Sequence, residues 1–167
     1  MSHAPAQTAR RVRVTTGLLL AATVVGGALA SPAVGAPAAP AAGSAAELRW
    51  DVVHSVNEIR ENHGCKPLKV ARKLNKSAQR HAEDMSSKDY FSHTSADGRS
   101  WVSRQRATGW KKPGGENIAR GFDSAGPVMT AWMNSPLHRK NIVNCNFRHI
   151  GVGFTADGEY WVQNFGY

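Results

Sequence analysis

Two histidines and one glutamate are the side chains whose types and settings best suit chemistry in this chain. His93 follows the stretch Tyr90-Phe91-Ser92, Glu116 follows two glycines, and His138 lies just after Ser135-Pro136. A carboxylate beside imidazoles stabilises their protonated forms and is itself kept ionised, which suits general acid–base chemistry. Neutral imidazoles also bind Zn²⁺ or another divalent cation, with water filling the open positions. The structural alternative is that Glu116 only ties backbone amides together.

The sequence lacks the signatures of several familiar enzyme and binding classes. It contains no glycine-flanked serine elbow, no HExxH zinc motif, no phosphate-binding loop and no dinucleotide fingerprint. It also has no nucleic-acid-binding motif and no aromatic platform among basic residues, so no nucleic-acid partner is expected. His81 falls on the apolar stripe of a predicted helix, and we expect it to be a core or boundary residue.

Apolar residues at helical spacing predict most of the elements that must position these side chains. The pattern predicts a helix from Leu48 to Ile59, a second from Val70 to Met85, a short third over residues 100–108, a strand over residues 115–120, a helix that starts near Pro127, and one further turn after Ser135-Pro136. That last turn has a capping hydroxyl followed by proline, a common order at a helix start.

The end of the chain alternates apolar and small or polar residues, as strands do. Residues 150–154 and residues 161–165 show this pattern, with a hairpin turn over residues 156–159. Helices come first and strands last, which indicates an α+β domain built round an antiparallel sheet. Trp132 and Trp161 are expected to be buried in it.

The first third of the chain is predicted to be an export signal and a linker. Early arginines, an apolar run and small residues at a cleavage spacing are typical of a secretory signal peptide over residues 1–30, cut after residue 30 or 36. An uncleaved membrane anchor is the alternative. Residues 31–46 are rich in alanine and proline without periodicity, which indicates a disordered linker. Residues 47–167 then form one secreted domain, expected to be a monomer without a transmembrane segment.

Basic residues outnumber acidic ones by 21 to 12, for a net charge of +9. Such a surplus favours anionic surfaces such as cell-wall polymers or lipid head groups, although solubility alone also explains it. Along the sequence the lysines and arginines are scattered rather than clustered. Trp110 precedes Lys111-Lys112-Pro113 and is interpreted either as the rim of a ligand site or as part of a loop that covers a cleft.

Cys65 and Cys145 are the two cysteines of the chain. In an exported protein an even number of cysteines predicts a disulfide bond, here between these two residues. The alternatives are that each is simply a small buried residue, or that one is a thiol nucleophile.

Five short motifs occur in one order along the domain. They are Tyr-Phe-Ser-His, Gly-Glu-Asn-Ile-Ala, Trp-Met-Asn-Ser-Pro-Leu-His-Arg, Ile-Gly-Val-Gly and Tyr-Trp-Val-Gln-Asn-Phe-Gly. Together they resemble the CAP superfamily, which includes cysteine-rich secretory, antigen 5 and pathogenesis-related proteins, and in particular its compact bacterial secreted branch. The resemblance runs from about Val53 to Tyr167.

The resemblance implies a three-layer α–β–α sandwich with a cleft where two histidines and two glutamates converge. His93, Glu116 and His138 match three of these positions, and in some relatives the histidines hold a divalent cation. The second glutamate of animal and plant members falls near Ser135, which is a serine in this chain. A mechanism that needs two carboxylates is therefore in doubt.

Three functions stay open at this stage, and whether the protein is an enzyme stays open with them. The first is a secreted binding module for a lipid, sterol or other apolar ligand, with or without a divalent cation. The second is a metal-assisted hydrolase of peptides or cell-wall polymers, in which His93 and His138 hold the cation and Glu116 is the general base. The third is a structural or interaction scaffold. An extracellular location, with or without attachment to the cell wall, suits all three.

Overall fold

The computed structural model describes residues 43–167. The predicted signal peptide and most of the predicted linker lie outside the described residues. Within residues 43–167, no helix combines the length and the apolar character that crossing a bilayer requires.

The described chain contains five helices and four strands. They are α1 (Ala45–Asn62), β1 (Lys69–Val70), α2 (Arg72–Ser87), α3 (Trp101–Ala107), β2 (Pro113–Ala119), α4 (Ala125–Asn134), α5 (Pro136–Ile142), β3 (His149–Thr155) and β4 (Tyr160–Gly166). A short 3₁₀ turn, Asp157–Glu159, joins β3 to β4 where the hairpin turn is predicted.

The start of α1 lies slightly ahead of the predicted domain boundary at residue 47. Ser44 Oγ accepts a hydrogen bond from the Glu47 backbone N–H, and the Glu47 carboxylate accepts one from the Ser44 N–H at 2.6 Å. This reciprocal capping box satisfies two N–H groups that would otherwise lack partners. The helix therefore begins at Ala45, inside the predicted linker.

The four strands form one sheet in the order β1-β3-β4-β2. The predicted antiparallel pairing holds for β3 with β4 and for β2 with β4. The sequence pattern assigned Val70 to the second helix, which is wrong: Lys69 and Val70 pair in parallel with β3. The backbone N–H groups of Lys69 and Ala71 find carbonyl partners along β3, so α2 begins only at Arg72. The sheet is thus mixed rather than purely antiparallel.

Helices cover both faces of the sheet, which confirms the three-layer sandwich. On one face α2 packs closely on β3, because a Cβ on Gly151 or Gly153 would lie within 2.4 Å of the α2 backbone. The intervening residues Ile150 and Val152 point the other way, into a larger core with α1 and α4. The alternation of glycine with bulky residues in β3 therefore lets α2 approach one face of the sheet closely and fills the core on the other face.

Two other sequence predictions are confirmed by the packing. Trp132 and Trp161 are fully buried, and each indole N–H donates to a backbone carbonyl. Cys65 and Cys145 form a disulfide across a sequence separation of 80 residues. Because both sulfurs are in this bond, neither cysteine is a thiol nucleophile.

Candidate functional site

Glu116 lies on β2, the edge strand of the sheet, opposite Asn164 of β4. Its side chain is only 1% exposed. The two preceding glycines are needed because their neighbours come very close. A Cβ on Gly114 would lie 2.5 Å from the Phe147 ring, and a Cβ on Gly115 would lie 2.9 Å from the Asn141 side chain. The edge of the sheet is thus tightly packed just before the buried carboxylate.

Arg104 of α3 is the partner of this carboxylate, and sequence analysis missed it. Its Nη2 donates to both Glu116 oxygens, at 2.9 and 2.7 Å. Its Nη1 donates to the carbonyls of His93 and Arg99 and to the Ser95 hydroxyl. A single arginine on a seven-residue helix gives no sequence signal that would separate it from a surface residue. In the fold it is a buried cation that neutralises Glu116 and shapes the loop carrying His93.

His93 contacts Glu116 directly and remains accessible. Its Nδ1 donates to Glu116 Oε1 at 2.9 Å, and half of its side chain is exposed. The carboxylate assigns the proton to Nδ1 in the neutral ring, which leaves the Nε2 lone pair available. Within residues 43–167 Nε2 has no hydrogen-bond partner. This pairing of a carboxylate with one ring nitrogen is the arrangement that orients histidine ligands of metals.

Helix α2 anchors the loop that carries His93. His81 Nε2 donates to the carbonyl of Ser92 at 2.8 Å, and the His81 side chain is fully buried, as predicted. Burial lowers the pKa of His81, so its ring is neutral. Tyr90 donates to Asp84, and burial together with this contact raises the pKa of Tyr90 to about 12. These contacts fix the backbone just before the exposed imidazole.

A separate amide network holds His138. Asn117 donates to the backbone carbonyl of His138 at 3.1 Å and to Gln163 at 3.0 Å. Asn141 of α5 donates to the Asn117 side chain at 2.8 Å and to the carbonyl of Glu116 at 3.3 Å. These buried amides, which sequence analysis also missed, fix α5 against β2. The signal that could have found them is a run of polar residues inside otherwise apolar strands.

Consecutive residues of β2 therefore serve the two histidines from opposite faces of the sheet. Side chains alternate along a strand, so Glu116 points toward α3 and Asn117 points toward α5. Burial lowers the pKa of His138, and the nearby His93 ring lowers it further. The carboxylate itself contacts His93 alone among the two histidines.

The donor set fits a weakly held divalent cation at most. Within residues 43–167, no group of three or more histidine, cysteine or acidic side chains is placed to hold a metal ion. His93 and His138 supply two imidazoles, and Ser135 at the head of α5 adds no carboxylate. Water would have to complete the coordination of Zn²⁺.

Comparison with protein families agrees with this geometry. The model of the cysteine-rich secretory protein family, CAP, matches residues 53–165. The chain belongs to the CAP family. Among curated CAP relatives, YkwD of Bacillus subtilis strain 168 is 44% identical over 128 residues, which are 76% of this chain and 49% of YkwD. The membrane protein YlbC of the same strain is 34% identical over 115 residues, 68% of this chain and 33% of YlbC. The chain thus spans half or less of the length of these relatives.

Solved structures of other bacterial proteins share the fold. An extracellular SCP-domain protein of Bacillus anthracis str. Ames superimposes with a TM-score of 0.69 at 29% identity, covering 72% of this chain and 40% of that one. An outer surface protein of Borrelia burgdorferi gives a TM-score of 0.66 at 24% identity, covering 72% of this chain and 92% of that one. The predicted α+β sandwich and the CAP resemblance are confirmed.

Proposed function

We propose that this CAP domain is an extracellular binding module for a lipid or other apolar ligand, and that Glu116 positions His93 instead of acting as a general base. The main support for this proposal is that the Glu116 carboxylate is buried and already hydrogen-bonded through both of its oxygens. The carboxylate is 1% exposed and both of its oxygens accept hydrogen bonds from Arg104. The described extracellular and outer-surface CAP structures support a secreted location.

A general base needs a free lone pair within reach of water or substrate. A carboxylate has about four acceptor sites. Arg104 donates to it twice and His93 once, and Asn164, with its amide nitrogen turned toward Oε2, lies 3.1 Å away. To accept a proton from water, Glu116 would have to give up one of these bonds and leave its pocket. The site therefore supports a binding module more than a hydrolase in which Glu116 is the general base.

A groove between α4 and α5 is the proposed place for the apolar ligand. It has a volume of about 400 Å³, and half of its lining is apolar, with Met133, Pro136 and Val143. The other half is polar, with Asn134, Arg139 and Lys140. Leu137, on the same helix as His138, is 79% exposed. This volume is in the range of small-molecule sites. Arg139 and Lys140 would supply positive charge for the polar end of such a ligand.

Hydrolysis is the second candidate, and the geometry of His93 favours it. The Glu116 carboxylate holds Nδ1 and leaves Nε2 free, as in histidine general bases. In that case His93, and not Glu116, would take the proton from a water molecule, and the hydrolase would differ from the one the sequence pattern predicts. A scaffold role has no observation of its own in its favour.

Lipid extraction separates these functions. The purified protein is incubated with a mixed lipid extract, recovered by gel filtration and analysed by mass spectrometry. Met133→Gln, which makes a wall residue of the groove polar at similar size, is expected to lower the amount of bound lipid, whereas Val70→Ser, which changes an apolar residue outside the groove, leaves it unchanged. Equal binding by both variants would contradict the proposed groove.

Two further measurements address the cation and the enzyme. Calorimetry with ZnCl₂ is expected to show weak binding that His93→Ala/His138→Ala abolishes, and identical titrations would end the metal proposal. Release of products from peptide or peptidoglycan substrates that depends on His93 would favour the hydrolase. If the wild type neither binds lipid nor releases product, the scaffold role is the candidate function that remains.

A further inference from the structure

A second groove, of about 510 Å³, lies where the start of α2 meets the segment before β2. Two aromatic side chains line it. Trp110 packs so closely over Gly166 that a Cβ there would lie 2.3 Å from the indole nitrogen, which itself donates to the Lys112 carbonyl. Tyr167 packs edge-on against Phe147 and is 48% exposed. The groove thus presents two aromatic surfaces that their neighbours hold in place.

Five cations surround these aromatic surfaces. Arg72, Lys73, Lys111 and Lys112 line the groove, and an adjoining groove of about 450 Å³ shares the first two and adds Lys76. All five are exposed, and none has a carboxylate partner within 4 Å in the described part of the chain. The sequence pattern suggested scattered charge; the fold gathers these residues from two segments about 40 positions apart. We call this surface the cationic groove.

The helix beside the cationic groove adds positive potential. α2 begins at Arg72 without a side-chain cap and has no acidic residue in its first turn. A helix N-terminus carries partial positive charge, and acidic residues normally stabilise it. Here Arg72 and Lys73 occupy the first turn and add like charge. A bound anion would offset this repulsion and satisfy the free N–H groups of the helix start.

We propose that the cationic groove binds an anionic polysaccharide chain. Sugar rings would pack their apolar faces on Trp110 and Tyr167, while their carboxylate or phosphate groups pair with the five cations. Five cations without a carboxylate partner exceed what one small anion requires, so they suit a ligand with repeated charges, although Lys73 also donates to the Gly109 carbonyl. The two aromatic side chains stand among the cations, and Tyr167 is 48% exposed, so a face for sugar packing is accessible beside the charges. This site is independent of the histidines and of the apolar-ligand proposal.

Fluorescence anisotropy with labelled polygalacturonate, which has one carboxylate on each sugar ring, tests the proposal. Polygalacturonate is expected to bind the purified protein more tightly than neutral dextran, which offers rings alone, or linear polyphosphate, which offers charge alone. Affinity should fall with increasing salt, because binding displaces counterions. Single-stranded DNA and phosphatidylglycerol vesicles are expected to bind more weakly than polygalacturonate.

Variants locate the binding surface. Lys111→Ala/Lys112→Ala is expected to weaken polygalacturonate binding by about tenfold at low salt. Lys66→Ala/Lys88→Ala removes the same charge outside the groove and is expected to change binding less than about twofold. Tyr167→Leu keeps the packing on Phe147 but removes the aromatic face, and should weaken binding of polygalacturonate more than binding of polyphosphate. Thermal melting checks that each variant is folded.

Several outcomes would overturn the proposal. Equal losses in the two lysine pairs would mean that net charge alone drives binding. Polyphosphate, DNA or vesicles that bind as tightly as polygalacturonate would assign the surface to another class of partner. If polygalacturonate does not bind even at low salt, the proposed polysaccharide site is refuted.

Discussion

Removing the guanidinium of Arg104 tests the central ion pair of the site. In Arg104→Met the Glu116 carboxylate would stay 1% exposed but would lose its cation and two hydrogen bonds. Breaking a buried pair by removing one partner costs about 3–5 kcal/mol, because the remaining charge is uncompensated. The carbonyls of His93 and Arg99 would also lose a donor. A loss of this size is a large part of the roughly 5–15 kcal/mol that stabilises a domain.

Urea unfolding of matched variants measures this loss. Arg99→Met is the control, since Arg99 pairs with Asp97 in an ion pair whose side chains are 53% and 49% exposed. Exposed pairs contribute about 0–1 kcal/mol, so the control should be close to wild type. Adding Glu116→Gln to Arg104→Met removes the buried charge and should restore about 2 kcal/mol or more.

The ion-pair argument is refuted if the free energy of unfolding of Arg104→Met lies within about 1 kcal/mol of that of the Arg99→Met control. It also fails if Glu116→Gln gives no recovery in the Arg104→Met background. Either result would mean that water or another group compensates Glu116, and the case against Glu116 as a general base would weaken with it.

The fold makes three further predictions. Replacing Cys65 and Cys145 by alanine should lower the free energy of unfolding by about 4 kcal/mol, because the disulfide restricts a long loop of the unfolded chain; unchanged urea midpoints would contradict this. Gly153→Ala should destabilise the domain by at least about 2 kcal/mol, since its Cβ would lie 2.4 Å from the α2 backbone, whereas Gly126→Ala has open space and should stabilise α4 slightly. Similar thermal shifts for the two would refute the packing argument. Burial lowers the pKa of His81 below 6.5, so the unfolded chain binds more protons than the folded one as pH falls below 6.5. Stability should therefore decrease from neutral to acidic pH, and less steeply in His81→Gln; identical slopes in urea titrations would show that His81 is not responsible.

Much of the architecture was predictable because it follows from local periodicity. The helical spacing from Leu48 to Ile59 and the alternation of Ile150, Val152 and Phe154 are set by residues near one another in sequence. The strand β1 was missed because a two-residue strand carries no periodicity, and its partner lies far along the chain. Of the candidate site, His93 and Glu116 were both selected from the sequence, and the structure places them in contact.

By itself the sequence determined the CAP motifs and most of the apolar residues that face the core, and it favoured the disulfide that the structure confirms. Only the tertiary structure decided what Glu116 contacts, because its partner Arg104 looks like any surface arginine until α3 packs on β2. The same holds for the cationic groove, where residues of α2 and of the segment before β2 become neighbours. Hydrophobic patterns are read along the chain, whereas the effect of a charge depends on the partners and the solvent that the fold places around it.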